Sequence, residues 1–129
     1  MQYHEATVMI VEDSPLVARI ITNLMTRASH RVLEVVDSGS EAVVAWQNLR
    51  PTLTILDLHI PEKNGLIVLG EIMAIDASAQ IIIVSGDPQA QIEQQCLSLG
   101  ALGFLKKKNL KNLPHMIQTL VSKPIEFDP

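Results

Sequence analysis

The sequence predicts an α/β fold, a doubly wound five-stranded parallel sheet with helices on both faces. Five short segments rich in Val, Ile and Leu alternate with five segments whose apolar residues recur at helical spacing. The strand segments are apolar throughout rather than alternating, as strands buried on both faces are. The connections are short, and crossovers of this kind are right-handed. The 129 residues suit one domain, and 47% hydrophobic residues support a core rather than disorder. Aromatics are only 3%, so that core must be built from Ile, Leu, Val, Met and Ala.

Thr7 to Val11 is a β-branched run and the first strand. Glu12 and Asp13 end it, Ser14 is suited to cap a helix, and Pro15 suits its first position. Leu16, Val17, Ile20, Ile21, Leu24 and Met25 carry that helix to about Arg27. Arg31 to Val36 is the second strand. Asp37-Ser38-Gly39-Ser40 is turn material, with Ser40 expected to cap the second helix, Glu41 to Leu49, which Pro51 closes. Trp46 on that helix is expected to be partly buried. Leu53 to Leu56 is the third strand, ending at Asp57.

Leu58 to Asn64 is a loop, and Gly65 opens a third helix through Leu66, Leu69, Ile72 and Met73. Gln80 to Val84 is the fourth strand, followed by Ser85-Gly86-Asp87-Pro88, where Asp87 is expected to cap a helix starting at Pro88. On that helix Ile92, Cys96 and Leu99 share a face, and Gly100 ends it. Ala101 to Leu105 is the fifth strand. Asn109 is expected to cap the last helix, which runs to Val121 with Pro114 near its start. Residues 1–123 form the expected domain, and 124–129 a tail or the start of a linker. His4, His30 and His115 are expected at the surface.

Chemistry-bearing residues collect where strands stop. All strand C-termini of a parallel sheet open on one edge, where ligands bind at the switch in strand order. If the order is 2-1-3-4-5, Glu12 and Asp13 stand beside Asp57. Three carboxylates in one cleft repel one another and call for a cation. Hard oxygen donors suit Mg²⁺, which binds one or two carboxylates together with phosphate. Ser85 adds a hydroxyl and a strand-five lysine a fixed positive charge, completing a phosphoryl clamp. Asp57, at the centre of the sheet, is the candidate nucleophile, and its attack on phosphorus gives an aspartyl phosphate.

Four segments in order carry a resemblance: Val8-Met9-Ile10-Val11-Glu12-Asp13-Ser14; Ile55-Leu56-Asp57-Leu58-His59-Ile60-Pro61 with Gly65; Ile82-Ile83-Val84-Ser85-Gly86; and Gly100-Ala101-Leu102-Gly103-Phe104-Leu105-Lys106-Lys107. Over about residues 7 to 121 the chain resembles a two-component response-regulator receiver domain, similar to the stand-alone chemotaxis regulator. The resemblance implies a flavodoxin-like (βα)5 receiver fold with strand order 2-1-3-4-5. It implies that Asp13, Asp57 and the backbone carbonyl of His59 bind Mg²⁺ directly, and that Glu12 acts largely through water. Ser85, the Gly86 N–H and Lys107 would hold the phosphoryl oxygens. His59 and Asp87 sit at positions that tune phosphoryl lifetime. Phosphorylation would draw Ser85 toward Asp57, turn Phe104 inward and change the surface of helix 4, strand 5 and helix 5.

The implied donor is a phosphohistidine on a sensor histidine kinase or a histidine phosphotransfer protein. The implied outputs are an attached domain, a downstream protein, or a homodimer through the helix 4-strand 5-helix 5 face. Self-phosphorylation and autodephosphorylation are expected, without turnover of a metabolite. The chain departs from the family where Lys-Pro with a cis peptide is usual and Lys107-Lys108 stands instead. A non-proline cis bond costs about 2.5–4 kcal/mol, so the loop either keeps a cis bond at that cost or is trans and repositioned, two alternatives that the sequence leaves open. Counting from Gly100-Ala101 and Phe104 selects Lys107, with Lys106 toward the other face and Lys108 toward solvent.

That departure motivates an alternative, a degenerate receiver serving as a phosphorylation-independent binding or dimerisation module. An aspartyl-intermediate phosphatase would want a second acid and a substrate cap, and a dinucleotide fold would want a G-x-G-x-x-G after strand one, which is absent. The net charge of -4 and the lack of a basic stripe argue against direct nucleic-acid binding. One cysteine, Cys96, excludes an internal disulfide framework and fits a reducing compartment. No basic leader and no apolar run of about 18 residues is present. A soluble, cytoplasmic protein without membrane partners is expected.

Overall fold

The computed structural model describes residues 6–86 and 90–121. The expected cap Asp87, the helix start at Pro88, His4 and the 124–129 tail lie outside the described residues. The elements alternate: β1 (Thr7–Val11), α1 (Pro15–Arg27), β2 (Arg31–Val36), α2 (Gly39–Leu49), β3 (Leu53–Asp57), α3 (Gly65–Ile75), β4 (Ile81–Ser85), α4 (Ala90–Ser98), β5 (Gly103–Lys106) and α5 (Leu113–Leu120). The strands form one parallel sheet in the order β2-β1-β3-β4-β5. This is the flavodoxin-like (βα)5 arrangement.

Alternation along each strand divides the core into two layers, which is why the inner strands β1, β3 and β4 are almost wholly apolar, while the edge strand β2 carries exposed Arg31 and Glu34. Val8, Ile10, Ile55, Ile82 and Val84 pack with Ile21 and Met25 of α1 and with Leu113 and Ile117 of α5. Met9, Val11, Leu56, Ile81 and Ile83 face the other way, onto Ala42 and Trp46 of α2, Val68, Leu69 and Ile72 of α3, and Cys96 of α4. Each such aliphatic side chain contributes roughly 1.5–3 kcal/mol by leaving water, so these two layers hold the sheet and fix where its strand ends lie.

The helix starts are set by local hydrogen bonds. Ser14 caps α1, its Oγ accepting from the Val17 N–H at 3.3 Å. Asn64 caps α3, accepting from the Ile67 N–H at 3.0 Å. Two expected caps are corrected. Ser38, not Ser40, caps α2, accepting from the Glu41 N–H at 3.4 Å, because the helix begins at Gly39. Asn109 does not cap the last helix; it lies in a 3-10 segment, Lys107–Asn112, inserted between β5 and α5. No cis peptide occurs among the described residues, so the Lys107-Lys108 bond is trans.

Burial differs from expectation at three kinds of position. Trp46 is buried at 3% exposure rather than partly so, with the Arg50 guanidinium 4.4 Å from its ring centroid. The apolar stripe of α1 is wider than the sheet can cover, leaving Leu16 and Ile20 exposed. Leu99 is exposed as well, while Cys96 is in the core. His30 is half-buried: its Nδ1 accepts from the Ala6 N–H at 3.1 Å.

Candidate functional site at the C-terminal edge of the sheet

Strand order puts the ends of β1 and β3 side by side, and their carboxylates with them. Ligand oxygens of Glu12, Asp13 and Asp57 lie within 4.8 Å of one another. Glu12 is tied to β2 by its N–H, which donates to the Val36 carbonyl at 2.9 Å. Its buried carboxylate accepts from the Ser14 N–H at 3.0 Å. Asp13 is exposed, whereas Asp57 is buried at the end of β3. The Asp57 Oδ1 accepts from the His59 N–H at 3.2 Å.

Lys107 reaches across from the end of β5. Its Nζ lies 3.0 Å from Asp57 Oδ2 and 3.0 Å from Glu12 Oε1. Lys106 and Lys108 are both exposed. Burial pushes the Glu12 carboxyl above its ordinary 4.5, outweighing the Ser14 N–H and the lysine, and the Asp57 charge adds to the rise. Burial also works against the Lys107 ammonium, but the hydrogen bonds and charges of Asp57 and Glu12 prevail and hold it above 10.5. The asymmetry follows from one cation serving two buried anions.

Ser85 ends β4 and pairs with Lys106. Its hydroxyl is fully buried without a hydrogen-bond partner among the described residues. An orphaned hydroxyl costs free energy unless a ligand satisfies it. Gly86 follows; a Cβ there would meet the Lys107 Cδ at 3.7 Å, an ordinary contact, so the lysine stem runs alongside this residue. Phe104 on β5 is half-buried against the α2-α3-α4 layer. The His59 side chain is exposed, and Asp87 is outside the described residues. A cleft of about 590 Å³ opens beside Glu12 and Asp13, bounded by Asp37, Ser40, Glu41 and Val44 among others.

Sequence reasoning missed what shapes the loop after Asp57. Leu58 and Ile60 are buried with Ala42 and Trp46, and the Gly65 N–H donates to the Leu58 carbonyl at 2.9 Å. Gly65 is required by proximity: a Cβ there would stand 2.3 Å from the Asp57 carbonyl oxygen. Gly39 was legible only as turn material, although its backbone touches the same loop.

The three carboxylates fit a hard divalent cation. They offer only oxygen, and one ammonium leaves two of their three charges unbalanced. The sequence signature of the response regulator receiver domain matches residues 8–118. The chain is 32% identical over 100 residues to the chemotaxis protein CheY of Thermotoga maritima, covering 78% of this chain and 83% of that one. It is 29% identical to a putative transcriptional regulator of Pseudomonas aeruginosa, covering 93% of this chain but only 58% of the relative's length.

Among solved structures, the CheX-CheY-BeF3-Mg+2 complex from Borrelia burgdorferi superposes with a TM-score of 0.81 at 26% identity, covering 90% of each chain. A LuxR-family two-component response regulator from Aurantimonas sp. SI85-9A1 gives 0.83 at 21% identity, covering 93% of this chain and 91% of that one, a likeness of fold. No helix among the described residues is long and apolar enough to cross a membrane. With Glu12, Asp13 and Asp57 positioned for Mg-dependent phosphoryl transfer, the chain belongs to the response regulator receiver domains of two-component signalling.

Proposed function

We propose that the chain takes a phosphoryl group from a phosphohistidine onto Asp57 and signals through the surface of α4, β5 and α5. The observation that carries this reading is the Lys107 Nζ at 3.0 Å from Asp57, inside a cluster otherwise made of carboxylates. An Asp57 carboxylate oxygen attacks phosphorus, forming an O–P bond as the P–N bond to the donor imidazole breaks. The leaving nitrogen keeps the electron pair. Asp13, Asp57 and the His59 carbonyl would hold Mg²⁺, with Glu12 acting through water; when bound, the ion screens charge on the phosphoryl oxygens.

The chain's own groups do the rest. Lys107 bridges Asp57 and Glu12, which supports its pairing with a phosphoryl oxygen. The free Ser85 hydroxyl donates to another, with the Gly86 N–H beside it. Movement of Ser85 toward the phosphoryl group vacates space that Phe104 fills, coupling the site to β5 and α4. His59 and Asp87 govern the approach of hydrolytic water. The partners are a histidine kinase or histidine phosphotransfer protein, and an output domain, a downstream protein or a second copy.

The test is incubation with Mg²⁺ and acetyl phosphate, and separately with a phosphohistidine donor. Intact mass should rise by one phosphoryl group, and Asp57→Ala should abolish the gain. No adduct with either donor would favour a phosphorylation-independent binding module.

A further inference from the structure

The loop between Asp57 and α3 is gripped from outside by the first turn of α2. The Gly39 N–H donates to the Pro61 carbonyl at 3.1 Å. The backbones approach so closely that a Cβ on Gly39 would lie 1.7 Å from the Lys63 carbonyl oxygen and 2.6 Å from its carbon. Beside it, the Ser40 hydroxyl donates to the Glu62 carboxylate and lies 3.3 Å from the Ser38 hydroxyl. Glu62 is held at a φ of 71°, a conformation uncommon for a residue with a side chain. The Lys63 N–H folds back onto the Pro61 carbonyl at 2.8 Å.

We infer that Gly39 and Ser40 are positioning residues for the metal and phosphoryl site, acting through the loop they clasp. The inference rests on the reading of the site given above. Asp57 and the His59 backbone are joined by the hydrogen bond from the His59 N–H, so the loop's path sets where the His59 carbonyl lies relative to the acids. Leu58 and Ile60 anchor the loop in the layer that contains Ala42 and Trp46 of α2. The turn and the helix it begins therefore hold the loop from two sides. Gly39 does not need a left-handed backbone here; it needs to lack a Cβ. Alanine is the better helix former, so a helix requirement alone would favour Gly39→Ala.

The test is calorimetric titration of the full chain with Mg²⁺, alongside melting in a chelator. Gly39→Ala should weaken Mg²⁺ binding by about tenfold or more, the scale of outer-shell changes at metal sites. Ser40→Ala should weaken it less, and Ser40→Thr, which keeps the hydroxyl, should restore it. Ser40 is exposed, so its variants are expected to melt with the wild type in chelator. If Gly39→Ala fails to fold, the Ser40 pair decides. Wild-type affinity in the variants, or a lowered melting temperature with affinity unchanged, overturns the inference. A wild-type chain that binds no Mg²⁺ overturns the reading of the site instead.

Discussion

Lys107 stands 3.0 Å from Asp57 while the lysines on both sides of it face solvent. The 3-10 segment that starts at Lys107 provides this geometry without a proline. Replacing Lys107 by Met leaves two buried acids without their cation. It should lower stability at neutral pH by about 1–3 kcal/mol in urea unfolding and slow the gain of the phosphoryl adduct. Lys106→Met and Lys108→Met should stay within about 0.5 kcal/mol of wild type.

The acids predict an unusual pH dependence in chelator. Burial raises the Glu12 pKa in the folded chain above its ordinary 4.5. The unfolded chain therefore releases this proton first, and stability falls as pH rises from 4.5 through the folded value. Glu12→Gln should remove that decline. Lys107 runs the other way: its folded pKa is raised, so its contribution is complete below 10.5 and is lost as pH climbs through the folded value. Lys107→Met should flatten this alkaline limb. Urea titrations across both windows check the signs.

Mg²⁺ should stabilise the fold because it binds an acid cluster that the unfolded chain lacks. At ten times its dissociation constant the gain is about 1.4 kcal/mol, or roughly 3–6 °C in melting temperature for a chain of this size. Asp13→Asn should abolish most of the gain while leaving melting in chelator unchanged or raised, since it removes one of three repelling charges.

Asp76 at the end of α3 supplies a control far from the chemistry. Its Oδ1 accepts from the Ser78 hydroxyl at 2.6 Å and the Ser78 N–H at 2.9 Å, which hold its carboxyl below the usual 3.8. A depressed folded pKa contributes stability above 3.8 that is lost as pH falls through the folded value. Ser78→Ala should make acid unfolding shallower there without changing Mg²⁺ binding. An unchanged acid slope would refute the role of the hydroxyl.

β1 and β2 were legible to the residue because their apolar, β-branched runs end abruptly in acids or turn residues. β4 extends to Ser85 because that residue still pairs with Lys106, something a polar side chain hides from sequence. α3 was read from Leu66, Leu69, Ile72 and Met73, although the helix is apolar on nearly every side and its buried face is not marked off by polar neighbours. Glu12, Asp13, Asp57, Ser85 and Lys107 could be gathered because topology brings strand ends together. Gly39 could not, because its contribution is the absence of a side chain next to a backbone distant in sequence. Nor could the Asn64 and Ser38 caps be told from their neighbours, as adjacent polar residues compete for the same N–H.

The strand order also leaves β2 and β5 as the two rims of the sheet. β5 has only four residues and finishes in exposed Lys106, with exposed Lys108 just beyond. β2 carries exposed Arg31 and Glu34. Charges of this kind keep an open sheet from recruiting strands of neighbouring molecules. The lysine run thus divides its charge: one lysine turns inward to the acids, and those flanking it guard the rim against aggregation.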